Sequence, residues 1–92
     1  MSIKRIQAIV SGQVQGVGYR YYATHAAQEL GLGGSVRNLP SGDVEAIAEG
    51  EETALGTFIA ALRDGPSTAQ VRDVQVAWSD PSGALRGFTA IS

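Results

Sequence analysis

The apolar residues of this chain repeat with two different periods, and the order in which these periods follow one another restricts the fold. In residues 6–14 apolar and other side chains alternate, which is typical of a half-buried β-strand. In residues 19–30 apolar residues recur at steps of three and four, the spacing of an amphipathic helix, and Gly31 is suited to end it. The chain therefore predicts a strand that leads through a short turn into a helix.

The remaining sequence predicts a second helix and four more strands. A turn signal, Pro-Ser-Gly-Asp at residues 40–43, separates two short alternating segments. A helix with apolar residues at helical spacing then ends at Asp-Gly-Pro. The predicted elements are strands at residues 35–39 and 44–49, a helix around residues 55–62, and strands at residues 71–78 and 87–91.

The order β-α-β-β-α-β, with an extra C-terminal strand or a long final hairpin, is typical of a ferredoxin-like α+β open-faced sandwich. In this fold two helices cover one face of an antiparallel sheet. The 92 residues suffice for one domain, at residues 1–92, and are too few for a second core. Because this scaffold hosts enzymes, metal carriers and RNA binders alike, the fold alone does not predict a function.

The composition argues against several classes of protein. Without cysteine, the chain can form no disulfide, thiolate nucleophile or thiolate metal site. A formal net charge of −2 argues against a protein that binds nucleic acid or a membrane surface, since both need a basic surface. The sequence contains no apolar run long enough to span a membrane and no secretory signal pattern. We therefore expect a cytosolic protein without nucleic-acid or membrane partners.

The segment GQVQGVGYR, from Gly12 to Arg20, predicts an anion site at the junction between the first strand and the first helix. Three glycines within seven residues let successive backbone N–H groups point inward, and such a nest before a helix N-terminus binds anions. Arg20 adds a permanently charged planar guanidinium that can contact two phosphate oxygens. Taken alone, the segment could equally be a tight connection with a surface arginine.

Asn38, in the second predicted strand, is expected at the same end of the sheet as Arg20. Side chains alternate along a strand, so Asn38 faces the glycine turn while Arg37 faces the other way. A side-chain amide can accept a hydrogen bond from water, but it is not a strong base. The pair indicates attack by a positioned water on an already activated substrate. By itself, Asn38 could also be a strand-end residue that bonds its own turn.

Three segments of the chain resemble the acylphosphatase family: GQVQGVGYR, AAQELGLGGSVRNLPSGDVEAIAEG and GPSTAQVRDV. The resemblance extends over nearly the whole chain, and the motifs VQGV-x-[FY]-R and VRN at this spacing make it specific. It implies an enzyme that hydrolyses the carboxyl–phosphate bond of acyl phosphates without metal or cofactor. Ser35 stands where many members have an aromatic residue and Tyr19 where Phe is commoner, and neither change touches the two catalytic residue types.

The resemblance also implies roles for individual residues. Arg20 would bind the phosphate, and Asn38 would orient the attacking water. A small acyl phosphate would be the substrate, and carbamoyl phosphate is conceivable because related domains act on it within larger enzymes. Backbone amides of the glycine turn would surround the phosphate oxygens. The implied phosphate-binding residues are Gln15, Gly16, Val17, Gly18, Tyr19 and Arg20.

Other residues with possible chemistry are expected to be structural or exposed. His25 is the only histidine, and without a second histidine or a cysteine it makes a poor metal ligand or triad member. We expect it on the surface of the first helix, and we expect Phe58 and Trp78 in the core. The acidic cluster is expected to form a solvated edge and comprises Asp43, Glu45, Glu49, Glu51 and Glu52.

Two other functions stay open at the level of sequence. A binding module could keep the fold and the anion pocket and catalyse nothing, although such a module has no use for Asn38 beside Arg20. An RNA-binding sheet would carry basic and aromatic residues on its central strands, where this chain has Val10, Val36 and Asn38.

Overall fold

The computed structural model describes residues 2–91, and this part of the chain contains five strands and two helices. Their order agrees with the predicted one, and their bounds differ from the predicted bounds by only a few residues. The elements are β1 (Ile3–Gln13), α1 (Tyr19–Glu29), β2 (Gly33–Asn38), β3 (Val44–Glu51), α2 (Glu52–Asp64), β4 (Gln70–Ser79) and β5 (Phe88–Ile91).

The five strands form one sheet in the order β4-β1-β3-β2-β5. β1 pairs antiparallel with β3 and β4, and β2 pairs antiparallel with β3, which confirms the ferredoxin-like α+β fold. β5 is an extra strand and not half of a final hairpin: it runs parallel to β2, so the complete sheet is mixed. Phe88 at the start of β5 packs edge-on against Phe58 of α2, with ring centroids 5.6 Å apart, and its burial favours this position.

The core lies between the helices and one face of the sheet. Ile6, Ala8 and Val10 alternate along β1 and are fully buried, as a half-buried strand requires. Phe58 is also fully buried, which confirms its predicted place. Gly31, with a φ of +70°, follows α1 as predicted, and Gly65 caps α2. The buried helix positions are Tyr19, Ala23 and Ala27 in α1 and Leu55, Phe58, Ile59 and Leu62 in α2.

The prediction that Trp78 lies in the core is wrong, because 47% of this residue is exposed. β4 is an edge strand, and Trp78 pairs with Ile6 close to the end of that edge. It lies beside Glu52, the first residue of α2, and the helix does not cover it. The alternating pattern correctly places Trp78 on the face of the sheet that the helices cover. It does not show where α2 begins, and therefore does not show that Trp78 lies beyond the covered part of that face.

The prediction of a solvated acidic edge holds for Glu51 and Glu52, which are exposed, and is wrong for Glu45 and Glu49, which are buried. These two carboxylates lie on the sheet face opposite the helices. Glu45 accepts hydrogen bonds from Arg37 Nε at 2.8 Å and from Gln7 Nε2 at 2.7 Å. Cross-strand side chains thus cover the acids that the sequence pattern places in solvent.

Among the acidic residues of the described part of the chain, Glu49 accepts the most hydrogen bonds. It accepts hydrogen bonds from Arg5 Nη1 at 2.6 Å and from the backbone N–H groups of Ser82 and Gly83 at 2.8 and 3.1 Å. Burial by itself raises the pKa of Glu49, but the hydrogen bonds from Ser82, Arg5 and Gly83 outweigh it and lower the pKa to about 2. Because Arg5 and Arg37 are both paired with acids, neither of these two guanidinium groups is a free positive charge for the RNA-binding alternative.

Candidate active site

A cavity of about 390 Å³ lies where the β1–α1 loop, the start of α1 and the ends of β2 and β5 meet. Gly16 and Gly18 line it from the loop, Arg20 from the first turn of α1, and Asn38 from the end of β2. The fold therefore brings Arg20 and Asn38 into one cavity, as the sequence analysis expects, although 17 residues separate them along the chain.

The loop before α1 contains two glycines in a backbone conformation that non-glycine residues adopt only under strain. Gly16 and Gly18 have φ angles of +75° and +80°, in the left-handed region. A Cβ atom at either position would meet no heavy atom within 4 Å, so the glycines are required by conformation and not by space. Gly18 directly precedes Tyr19, the first residue of α1. This geometry turns the chain from strand into helix within five residues.

Side chains from both sides fix the loop in place. The Gln15 side-chain amide donates to the carbonyl oxygens of Leu39 and Asp43, each at 2.8 Å, and so joins the loop to the β2–β3 turn. Thr68 Oγ1 donates to the carbonyl oxygen of Val17 at 2.7 Å. These contacts hold the loop without using its backbone donors.

The backbone N–H groups from Gln15 to Tyr19 have no hydrogen-bond acceptor within residues 2–91. Consecutive N–H groups without acceptors at a helix N-terminus are a site that anions occupy. The side chains of Gln15 and Val17 do not line the cavity, so their predicted part in phosphate binding rests on their backbone groups.

The electrostatics of the cavity are positive. Within the described residues, no carboxylate forms an ion pair with Arg20, whose Nη1 instead donates to the carbonyl oxygen of Ile91 in β5 at 2.9 Å. The first turn of α1 contains no acidic residue. An arginine at the positive end of a helix dipole is unfavourable unless an anion binds there. The arrangement suits an anion and not a cation.

Asn38 faces the helix side of the sheet, the side of the fully buried Val36. Its Oδ1 atom is buried and has no hydrogen-bond partner among residues 2–91, and Asn38 is one of the residues that line the cavity. Arg37 points to the opposite face and bonds Glu45, as expected for a neighbouring position in a strand. A buried amide oxygen without a protein partner is available to a bound water or substrate.

Tyr19 and His25 have structural surroundings. The Tyr19 hydroxyl is buried and donates to the carbonyl oxygen of Leu62 at 2.8 Å, and burial raises its pKa further above the usual range. His25 is exposed on α1, as predicted; its Nε2 atom lies 3.0 Å from Glu29 Oε1 and its ring stacks on Tyr21. Within residues 2–91, no three His, Cys, Asp or Glu residues are grouped to bind a metal ion. No helix of this part of the chain has the length and apolar character to cross a membrane.

The sequence analysis missed Thr24 as a residue of this cavity. Thr24 lies on α1 four residues after Arg20, so both side chains are on one face of the helix. The i, i+4 spacing is the signal that could have identified it. Ala90 of β5 also lines the cavity, and it was not identifiable without knowledge of where β5 pairs.

Comparisons with known proteins identify the family to which the chain belongs. The sequence model of the Acylphosphatase family matches residues 6–90. An acylphosphatase of Thermus thermophilus is 50% identical over 84 residues, which are 91% of this chain and 94% of that protein. An acylphosphatase of a Roseiflexus species is 44% identical over 91 residues, or 99% and 98% of the two chains. The crystal structure of acylphosphatase from Bacillus subtilis superposes with a TM-score of 0.93 at 36% identity and covers 97% of this chain and 99% of that one. The chain therefore belongs to the acylphosphatase family of enzymes.

Proposed function

We propose that this protein hydrolyses the carboxyl–phosphate bond of acyl phosphates and releases a carboxylate and inorganic phosphate. The observation that carries the proposal is that Arg20 and Asn38 line one cavity. Within residues 2–91, the Arg20 guanidinium has no acidic partner and the buried Asn38 Oδ1 has no hydrogen-bond partner. The relatives named as acylphosphatases support the same activity.

The phosphate binds at the loop. Its oxygens accept hydrogen bonds from the backbone N–H groups of Gln15, Gly16, Val17, Gly18 and Tyr19 and from the guanidinium of Arg20. Each charge-assisted hydrogen bond contributes about 1.5–3 kcal/mol, and several of them suffice to hold a dianion in a fixed orientation. The bond from Arg20 to the Ile91 carbonyl uses one guanidinium nitrogen and leaves the other donors for phosphate.

Water is the nucleophile, and Asn38 positions it. A hydrogen bond from the water to Asn38 Oδ1 directs a lone pair of the water oxygen at the phosphorus. A new P–O bond forms while the bond between phosphorus and the acyl oxygen breaks, and its electron pair leaves on the carboxylate. Both protons of the water stay on the product, so the acyl phosphate dianion and water give a carboxylate and dihydrogen phosphate.

No step of the proposed reaction uses a general base, a metal or a cofactor. A carboxylate is a good leaving group, and Arg20 with the loop N–H groups stabilises the negative charge of the transferring phosphoryl group. The positioning of the water and the preorganised positive site supply the rate acceleration.

We also propose that the protein acts as a monomer in the cytosol on small molecules, without nucleic-acid or membrane partners. The net charge of −2 and the absence of cysteine support this assignment. Light scattering after size exclusion tests the first part: a mass close to 9.6 kDa is expected, and a stable dimer would contradict it.

The activity is tested with benzoyl phosphate in water enriched in oxygen-18 and with a chelator present. We expect turnover, with the label in the phosphate and none in the benzoate, because water attacks phosphorus. Label in the benzoate would contradict attack at phosphorus. If the protein binds inorganic phosphate but hydrolyses neither benzoyl nor acetyl phosphate, it is a phosphate-sensing module and the proposed enzyme function is wrong.

A further inference from the structure

Two buried polar side-chain atoms in the described residues lack a hydrogen-bond partner, and both belong to residues of the same cavity. One is Asn38 Oδ1, and the other is Thr24 Oγ1. Buried polar atoms almost always have a partner, because leaving one unsatisfied destabilises the folded state. Both atoms are therefore available for a hydrogen bond to a polar molecule in the cavity.

Thr24 does not make the bond that a threonine within a helix usually makes. Thr57 of α2 shows that usual bond, since its Oγ1 donates to the carbonyl oxygen of Thr53, four residues earlier, at 3.3 Å. Thr24 Oγ1 makes no such bond to the carbonyl of Arg20, and it does not bond Asn38 directly. Threonine is also a weak helix former, so helix propensity does not account for it at position 24.

We propose that the Thr24 hydroxyl holds the attacking water together with Asn38, an inference that rests on the proposed function. The water donates one hydrogen to Asn38 Oδ1 and the other to Thr24 Oγ1. With both hydrogens bonded, its remaining lone pairs point away from these two residues and into the cavity, where Arg20 and the loop hold the phosphate.

The hydrogen bonds from the water to Asn38 and Thr24 orient the nucleophile, whereas the contacts of Arg20 and the loop bind the phosphate. One hydrogen bond leaves a water free to rotate about it, whereas two fix the direction of its lone pairs. The chemical step is unchanged: the water oxygen bonds to phosphorus, the bond to the acyl oxygen breaks, and both protons stay on the phosphate. Thr24 therefore affects the rate of the step, and phosphate affinity is independent of it.

The test compares Thr24→Val, which keeps the shape and removes the oxygen, with Thr24→Ser, which keeps the oxygen. With benzoyl phosphate, we expect Thr24→Val to lower kcat by about 10-fold, the value of one hydrogen bond, with an unchanged Ki for inorganic phosphate. We expect Thr24→Ser to retain kcat within about threefold. Thr57→Val is the matched control, because it loses only a bond within a helix, and its kcat should equal that of the wild type.

A double variant makes the test specific to a shared water. If both residues hold the same water, adding Thr24→Val to Asn38→Ala should lower kcat by little more than Asn38→Ala alone. Effects that multiply would contradict the shared water. An unchanged kcat for Thr24→Val, a raised phosphate Ki, or a Thr24→Ser variant as slow as Thr24→Val would also overturn the inference. In each case an active wild type leaves the proposed function intact, whereas an inactive wild type removes both.

Discussion

At the scale of single residues, two side chains of the site could be predicted from residue type and motif alone, before their contacts in the structure were known. Arg20 and Asn38 could be predicted from the sequence because their motifs resemble those of the acylphosphatase family and because an arginine and an amide suit the roles that this resemblance implies. The place of Thr24 in the cavity and the hydrogen bonds of Glu49 could not be predicted in this way. A threonine in a helix and a glutamate in a strand are ordinary residues, and only their contacts in three dimensions distinguish them.

Replacing Arg20 with lysine tests whether the shape of the cation matters as well as its charge. Arg20→Lys keeps one positive charge but loses the planar fork and the bond to the Ile91 carbonyl. We expect the Ki for inorganic phosphate to rise about 10–100-fold, which corresponds to about 1.4–2.7 kcal/mol of lost binding free energy.

Competitive inhibition of benzoyl phosphate hydrolysis measures this Ki. Arg63→Lys, at an exposed position in the last turn of α2, is the matched control and should leave it unchanged. An Arg20→Lys variant with wild-type phosphate affinity would show that only the charge is used.

At the scale of secondary-structure elements, apolar alternation and the placement of glycines predict the strands, helices and turns, but not which strands pair. The strand–loop–helix unit that carries the site follows from a change of period and from glycines placed between the two elements. The pairing of β5 with β2 did not follow, because a four-residue strand has too short a pattern to specify its neighbour. That pairing places Ala90 in the cavity and the Ile91 carbonyl beside Arg20.

Two glycine-to-alanine variants of opposite expected sign test the loop conformation. Gly18→Ala forces a Cβ into the left-handed region and should lower the free energy of unfolding by about 1–2 kcal/mol. Gly56 lies exposed within α2 with open space around it, so Gly56→Ala should raise the free energy of unfolding by about 0.5–1 kcal/mol.

Urea unfolding gives both values. Because the loop is the proposed phosphate site, Gly18→Ala should also weaken phosphate binding, and Gly56→Ala should not. Equal effects of the two substitutions on stability would contradict the requirement for a left-handed residue at position 18.

At the scale of the whole molecule, the connection between β4 and β5 contacts the sheet face that lacks helices at Glu49. Ser82 and Gly83 donate their backbone N–H groups to Glu49 of β3, and Arg5 of β1 bonds the same carboxylate. The sequence pattern places Glu49 outside the helix-covered core, which is correct. It gives no sign that a distant loop folds back over this acid, since the contact spans more than thirty residues.

This network predicts a specific dependence of stability on pH. The pKa of Glu49 is about 2 in the folded protein, below its ordinary value of 4.5. A carboxyl with a lowered pKa stabilises the folded state above its unfolded pKa, and this contribution is lost as the pH falls from about 4.5 towards 2. Glu49→Gln should therefore be less stable than the wild type at pH 7, and the difference should shrink over that range.

Urea unfolding at a series of pH values measures the difference. Glu51→Gln, at the exposed end of the same strand, is the control and should follow the wild type. A difference between wild type and Glu49→Gln that stays constant from pH 7 to pH 2 would show that the carboxylate charge is not what the network stabilises.

The most direct test of the central claim is the effect of Asn38→Ala on the hydrolysis of benzoyl phosphate and on phosphate binding. We expect kcat to fall about 100-fold or more, because the water loses its orientation, while the phosphate Ki changes by less than about twofold. Gln75→Ala, which removes an exposed amide on β4, should leave both values unchanged. An Asn38→Ala variant that keeps its kcat, or one that loses phosphate affinity instead of rate, would contradict the claim that Asn38 positions the attacking water.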